Sequence, residues 1–349
     1  MDSVERSRRL HGVFWCILVT SRSDRPRSSL HACMTWQHWA MNSIRSLSPS
    51  SSSPSDDAAT SSEIEDLLDS ELGSDYSSSE FDCQPQSKAL LRPMPVAIAF
   101  ALGATTLNSM FQVLSERRYQ VIRGAVLPDI GHDLGDVLPF GMPSPIICDI
   151  LLVVLLGITV CRFACDPCLR WDVLRRYLVL QGIVFLIRGP ALYMTVLPQT
   201  IVDPFECQFA SAGNLLLDTA FVVMRMSVTC TDLFFSGHAA MMMLFVLFVT
   251  VHTSPMSFKP IARTRRSRQM AYWALMTASW TVTIAGISMI VMTKFHYSID
   301  VYIGVLLPVI LFVYYYDLLD APAPDTRPRP SLPHRIVHWL ESKQYKAKA

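Results

Sequence analysis

The sequence predicts an all-α, polytopic membrane protein with six transmembrane helices. Three observations carry that reading. Of 349 residues, 51% are apolar and only 17% charged, where a soluble globular chain carries ~25% charged residues. Mean hydropathy is +0.31, which excludes an ordinary cytosolic enzyme. Six stretches reach the ~20 apolar residues that a bilayer core requires of a helix. Glycine (14) and cysteine (9) are too sparse for a collagen-like chain or a disulfide scaffold. The formal net charge of +1 gives no reason to expect nucleic-acid binding.

Residues 1–90 are expected to form a polar N-terminal region without a packed fold. Ser43 to Glu80 holds 15 serines, nine acidic residues and one basic residue, Arg45. Such a stretch cannot bury enough apolar surface to offset its ordering entropy. A phosphorylated tail and an inert linker both fit it. The apolar run Val13–Val19 is too short to span, and Thr20-Ser21-Arg22 is a poor cleavage site, so no signal peptide is expected.

The spans follow over residues 91–317: Pro95–Leu114, Ile146–Ala164, Arg176–Leu197, Ser236–His252, Met270–Met292 and Tyr297–Tyr316. Met, Phe, Val and Leu run all round most of them, where a soluble amphipathic helix would show a polar stripe. A seventh stretch, Leu215–Val228, contains Asp218 and Arg225. It reads as an interfacial or bundle-packed helix. Residues 318–349 read as a C-terminal tail.

Positive charge orients the set. Arg162, Arg170 and Arg175 lie between spans two and three, and Lys259, Arg263, Arg265, Arg266 and Arg268 between spans four and five. Arg327, Arg329, Arg335 and Lys343 follow span six. Cytosolic loops collect Lys and Arg, so these regions and both termini are expected in the cytosol. Arg117, Arg118 and Arg123 disagree, because they follow span one on the opposite side.

Two constellations could carry chemistry. Cys230-Thr231-Asp232-Leu233-Phe234-Phe235-Ser236-Gly237-His238 enters span four, and Lys294-Phe295-His296-Tyr297-Ser298-Ile299-Asp300 enters span six. The topology puts both on the non-cytosolic side. Ionisable residues at membrane depth are costly and usually face a bundle interior or a water-filled cavity. His296 and Asp300 are four apart, hence on one helical face. A carboxylate there can accept the imidazole N–H and raise the basicity of the other nitrogen. Two histidines and an aspartate suit phosphoryl transfer without a metal. One imidazole attacks phosphorus while the other protonates the leaving oxygen. Either motif alone is more often a local hydrogen bond or an interfacial residue; the two together on one membrane face are much harder to produce by chance.

Ser236-Gly237-His238 and His296-x-x-x-Asp300 resemble the paired motifs of the lipid phosphate phosphatase (PAP2) superfamily. The fuller strings are similar to its sphingomyelin synthase branch, whose motifs read C-G-D-x-x-x-S-G-H-T and H-Y-[ST]-[IV]-D. Val126-Leu127-Pro128-Asp129 resembles the branch's P-L-P-D, and Arg188 through Tyr193 and Thr195 to Pro198 follows its R…Y-x-T-x-L-P order. The resemblance covers roughly residues 91–316 and implies a PAP2-like helical core. Thr231 stands where the branch has Gly, and Ala239 where it has Thr. The stretch from Cys207 to Cys230 is shorter than its counterpart and lacks its glycine run.

The resemblance implies His296 as nucleophile, Asp300 as its orienting base and His238 as acid, then base. It implies transfer of a phospho-head group from a glycerophospholipid to ceramide, with diacylglycerol released and no metal or other cofactor. Substrate-binding candidates are Asp129, Arg188, Tyr193, Asp232, Ser236, Gly237, Tyr297 and Asp218. A lumenal active site in the Golgi or at the plasma membrane goes with it, and a homodimer is a further expectation. Four readings stand: the ceramide transferase; a lipid phosphatase or phospholipase C-like hydrolase; a cholinephosphotransferase using diacylglycerol; and a silent lipid-binding protein. The head group is not legible.

Cysteine adds little. Cys165-Asp166-Pro167-Cys168 has no second pair to complete a zinc site. Cys207 and Cys230 both fall on the non-cytosolic side, where disulfides persist, and are expected to be bridged.

Overall fold

Among the described residues, regular structure begins at a proline. Pro93 opens α1 (Pro93–Ile122), in the first turn, where its missing N–H costs nothing. The structure, a computed structural model, describes residues 93–122, 127–137, 144–164, 166, 169–198, 200, 209, 211–227, 229–258, 260, 262, 264–321 and 331–341. The Ser-rich N-terminal region, Cys165, Cys168 and Cys207 lie outside them. After α1 come α2 (Ile130–Val137), α3 (Ile146–Ala164), α4 (Arg170–Met194), α5 (Leu215–Val223) and α6 (Gly237–His252). A short 3-10 turn at Pro255–Phe258 leads to α7 (Arg265–Met292), α8 (Ser298–Asp320) and α9 (Leu332–Leu340). The fold is all-α, and the described residues contain no strand.

Five helices are long and apolar enough to cross a membrane: α1 over Pro93–Tyr119, α3, α4, α7 and α8. The expected sixth span, α6, has only 16 residues. At 1.5 Å per residue it reaches about 24 Å, short of the ~30 Å of a hydrocarbon core. Its surroundings explain the length. Ala239, Ala240, Met242 to Val249 and Val251 are all buried, and α6 packs on α3, α4, α7 and α8. A helix apolar all round belongs inside a bundle. Enclosed by its neighbours, it does not itself have to match the bilayer. The seventh apolar stretch folds as the short α5, which packs against α1.

Helix ends run past the apolar stretches into charge. α4 starts at Arg170 and α7 at Arg265, about a turn and a half before their apolar runs. α1 continues through Glu116, Arg117 and Arg118. Two of the three arginines that contradict the charge rule, Arg117 and Arg118, are therefore helical, and Arg123 lies outside the described residues. Arg117 donates to Asp218 Oδ2 at 2.8 Å, and Arg118 to the Tyr193 carbonyl at 2.9 Å.

Two glycines set the approach of the helices that carry the site. A Cβ on Gly304 of α8 would lie 2.8 Å from the Ser236 carbonyl oxygen at the start of α6. A Cβ on Gly131 of α2 would collide with Ser298 Oγ. Only glycine leaves room at such contacts.

The C-terminal segment also folds back. α9 buries His334, Val337, His338 and Leu340 and ends at Glu341, which is tied to the start of α4. Arg175 Nη2 donates to Glu341 Oε2 at 2.7 Å; Arg176 donates to Oε1 at 2.9 Å and to Oε2 at 3.0 Å. Tyr315 of α8 donates to Oε1 at 3.2 Å. Burial would raise the Glu341 carboxyl, but the two guanidiniums win and hold it at about 2 against an ordinary 4.5. A depressed acid stabilises the fold above its unfolded value, and that contribution is lost as pH falls through the folded value. Removing one member of a buried ion pair costs ~3–5 kcal/mol, because the partner charges stay behind. Glu341→Ala is expected to lower the unfolding temperature of the detergent-solubilised chain, by a margin that shrinks as pH falls toward 2. An unchanged melting curve at neutral pH would contradict this network.

Candidate active site

The loop entering α6 is fixed by α1 and α4. Glu116 Oε2 accepts from the backbone N–H of Cys230 (2.9 Å) and Thr231 (3.1 Å) and from Thr231 Oγ1 (3.0 Å). Thr231, the departure from the glycine of the resembled motif, thus adds a third donor to a buried carboxylate. Arg188 of α4, 4% exposed, donates Nε–H to the Phe235 carbonyl at 2.7 Å and Nη1–H to Asn108 Oδ1 at 3.3 Å. Its Nη2 pairs with Asp232 Oδ1. Gln112 Nε2 donates to the other Asp232 oxygen at 2.7 Å. Burial would raise the Asp232 carboxyl, but the Arg188 charge overrides it and holds the group below the usual range. Ser236 then caps α6, accepting from Ala239 N–H at 3.3 Å, and its own N–H donates to the Asp300 carbonyl at 3.2 Å. Gly237 opens the helix beside the Arg188 guanidinium. His238 follows, in the first turn.

The entry to α8 is braced from α2, a helix the sequence did not announce. Asp129 Oδ1 accepts from Gly131 and His132 N–H, at 2.9 and 3.2 Å, and from Ser298 Oγ at 2.7 Å. Oδ2 accepts from Ser298 N–H at 2.8 Å. Burial would raise this carboxyl, but the Ser298 bonds lead those that bring it below its usual value. Asp129, a substrate-binding candidate from sequence, therefore caps two helix starts at once. His132 Nε2 donates to the His296 carbonyl at 3.0 Å, and its ring stacks on Tyr297 at 5.4 Å. Tyr297, 2% exposed, donates Oη–H to the Pro198 carbonyl at 3.1 Å and accepts from Leu127 N–H at 3.2 Å. It braces the loops around the site.

His296 Nδ1 faces Asp300 Oδ2 at 3.6 Å, and Oδ2 also accepts from Tyr297 N–H at 3.1 Å. The first contact is of ion-pair length; such bonds are often long without substrate and tighten in the complex. Burial pushes the His296 imidazole below its usual value, opposed by the Asp300 and Asp232 carboxylates. His296 is thus held toward its neutral, nucleophilic form.

The two histidines come together through Phe295. Its ring meets His238 at 5.4 Å and His296 at 5.0 Å between centroids, edge-on in both cases. His238 has a further partner: its Nε2 lies 2.8 Å from Asp149 Oδ1 on α3. Asp149, His132 and Glu116 are residues that sequence reasoning missed. Each acts across more than 85 positions of chain, and no local pattern signals that.

Two candidates sit in other surroundings. Asp218, 1% exposed, accepts from Arg117, from Ser211 Oγ at 2.7 Å and from Ala212 N–H at 2.7 Å. Burial would raise it, but these bonds bring it below the ordinary range. It anchors α5 to α1. Tyr193 lies under the Arg118 guanidinium, 5.6 Å from the ring centre, and beside Phe111. Cys230 is disulfide-bonded; its expected partner Cys207 lies outside the described residues.

Two imidazoles that pack on one phenyl ring at the starts of two apolar helices are groups suited to chemistry on a lipid phosphate. The PAP2 superfamily C-terminal family matches residues 229–317, a range that contains both histidines and Asp300. Over that range the chain is similar to the PAP2 superfamily. It is 29% identical over 208 residues to sphingomyelin synthase-related protein 1 of Homo sapiens, covering 56% of this chain and 45% of that one. Its likeness to the Mus musculus protein of the same name is also 29%, over 206 residues, covering 56% and 39%. The chain thus spans less than half the length of the curated relatives it matches.

Arg188 is the joint on which this site turns. A lysine cannot reproduce its fork to Phe235, Asp232 and Asn108. With charge-assisted hydrogen bonds contributing about 1.5–3 kcal/mol each, Arg188→Lys is expected to destabilise the chain by at least about 2 kcal/mol. Thermal unfolding in detergent reads this; a shift within error would show the fork to be dispensable.

Proposed function

We propose that the protein transfers a phospho-head group from a glycerophospholipid to the primary hydroxyl of ceramide at the exoplasmic side of its membrane. The observation that carries the reading is the meeting of His238 and His296 on Phe295, with Asp300 behind His296. The names of the relatives agree with a sphingolipid acceptor. His296 attacks through Nε2, since Nδ1 faces Asp300. The bond from phosphorus to the diacylglycerol oxygen breaks, and His238 gives that oxygen a proton. The ceramide hydroxyl then attacks the phosphohistidine, its proton passes to His238, and the phosphorus–nitrogen bond breaks. Protons balance over the cycle. The bonds broken and made are both phosphate esters of primary alcohols, so one site serves both halves. The engagement of Arg117 with Asp218 supports the orientation, since that charge is neutralised within the fold. Golgi or plasma-membrane residence, cytosolic termini and a homodimer belong to this proposal.

Hydrolysis is the second reading. The Asp149 side chain beside His238 is 66% exposed, so the pair is not sealed inside the bundle, and water in place of ceramide would give a phospholipase C-like enzyme.

Expression in cells lacking endogenous synthases, with labelled ceramide and mass spectrometry of the products, separates the two. A phosphosphingolipid supports transfer; release of a soluble phospho-head group alone supports hydrolysis. His238→Ala, His296→Ala and Asp300→Ala should each abolish turnover in a correctly inserted protein. Loss of general acid–base help costs ~10²–10⁴ in rate, so Asp300→Asn should leave a trace that His296→Ala does not. Because burial lowers His296, phosphohistidine formation should persist on acidification below the usual imidazole value of about 6.5. Near wild-type product from His296→Ala would replace the covalent route with direct attack by ceramide.

A further inference from the structure

We propose that Asp149 is a positioning residue for His238, so that the site contains two imidazole–carboxylate pairs rather than one. The inference rests on the phosphotransfer reading above and adds to it a residue on another helix.

The geometry is direct. His238 Nε2 and Asp149 Oδ1 are 2.8 Å apart. A carboxylate has no proton to give, so Nε2 is the donor. That fixes the tautomer and leaves Nδ1 as the nitrogen that exchanges protons with the substrate oxygens. The pair joins two helix starts: Asp149 is in the first turn of α3 and His238 in the first turn of α6. Phe295 packs edge-on against the imidazole and limits its rotation.

The position of His238 makes a carboxylate necessary. The first turn of a helix is the positive end of its dipole, where a cation is disfavoured. A second imidazole, His296, lies across the Phe295 ring. Yet His238 must become an imidazolium when it takes the ceramide proton, and must begin as one to protonate diacylglycerol. Asp149 supplies the negative charge opposite that ring. During leaving-group departure the proton moves from Nδ1 to the alkoxide; during ceramide attack it moves from the hydroxyl to Nδ1. Nε2–H remains on the bond to Asp149, which stays ionised in both steps. Asp300 orients His296 from one turn away, whereas Asp149 reaches His238 from 89 positions earlier.

The test uses the full chain in lipid nanodiscs and two donors, the natural glycerophospholipid and an analogue with a nitrophenyl leaving group that needs no protonation. Asp149→Asn is isosteric and keeps a hydrogen-bond acceptor. It should slow single-turnover phosphorylation of His296 by the natural donor roughly 10- to 100-fold, below the ~10²–10⁴ of the acid itself. It should leave the nitrophenyl donor nearly unaffected. Asp149→Glu should recover much of the loss. In a His238→Ala background, Asp149→Asn should cost little more, because coupled residues are not additive. Equal losses on both donors, or a full additive loss without His238, would overturn the pairing and leave the transfer reading standing.

If the wild-type chain phosphorylates His296 with neither donor, the transfer reading fails and the pair is still measurable. Carbethoxylation of His238, followed by mass spectrometry at about pH 8.5, where imidazoles are neutral, reports its nucleophilicity. It should be several-fold slower in Asp149→Asn; equal rates overturn the proposal.

Discussion

A buried guanidinium organises the catalytic end of this protein. At membrane depth, non-helical backbone is tolerated only where protein satisfies its polar groups. The run from Cys230 to Ser236, between apolar helices, is non-helical backbone with the same need. Arg188 takes its Phe235 carbonyl and its Asp232 side chain, and Glu116 takes its Cys230 and Thr231 amides. Without those partners the loop would leave several polar groups orphaned at once, and His238, at its far end, would have no fixed origin. The fork is in turn supported by Asn108 and Gln112 of α1, so α1, α4 and the loop form one hydrogen-bonded unit.

α4 carries arginine networks near both its ends. Arg188 serves the site, while Arg175 and Arg176 hold Glu341 more than two turns away from it. Between them the bundle is apolar, centred on the enclosed α6. The stiff elements are thus few: one helix pinned at two polar ends, one buried helix whose start is His238, and one helix, α8, whose start is held by Asp129 and by the close contact of Gly304 with Ser236. Ion pairs among nearly unexposed groups break only at high cost, which holds the helix starts that carry the two imidazoles in place.

The sequence made legible what is local. Hydropathy found the long helices because a bilayer demands about 20 apolar residues in a row, and the four-residue spacing of His296 and Asp300 implied their pairing. The ends of α1, α4 and α7 were missed because charged turns continue a helix beyond its apolar run. α2 and α9 were missed because each is under ten residues and too short to show a period. Asp129 and Tyr297, named as substrate-binding candidates, make bracing hydrogen bonds in the structure, a role which the string of letters does not separate from binding. Asp149 and Glu116 carry no local signal, since their partners lie 89 and 114 positions away.

The fate of Asp232 bears on head-group choice. Six residues before His238, it reads from sequence as a candidate for positioning a polar head group or as a cap for the start of span four. In the structure one oxygen is paired with Arg188 and the other accepts from Gln112. An ammonium arriving there would have to displace a guanidinium whose other bonds hold the loop, and would meet the positive charge it displaced. The more open carboxylate is that of Asp149, 66% exposed, with one oxygen on His238. Under the proposed transfer, a cationic head group would therefore find its open carboxylate at Asp149 rather than at the motif aspartate.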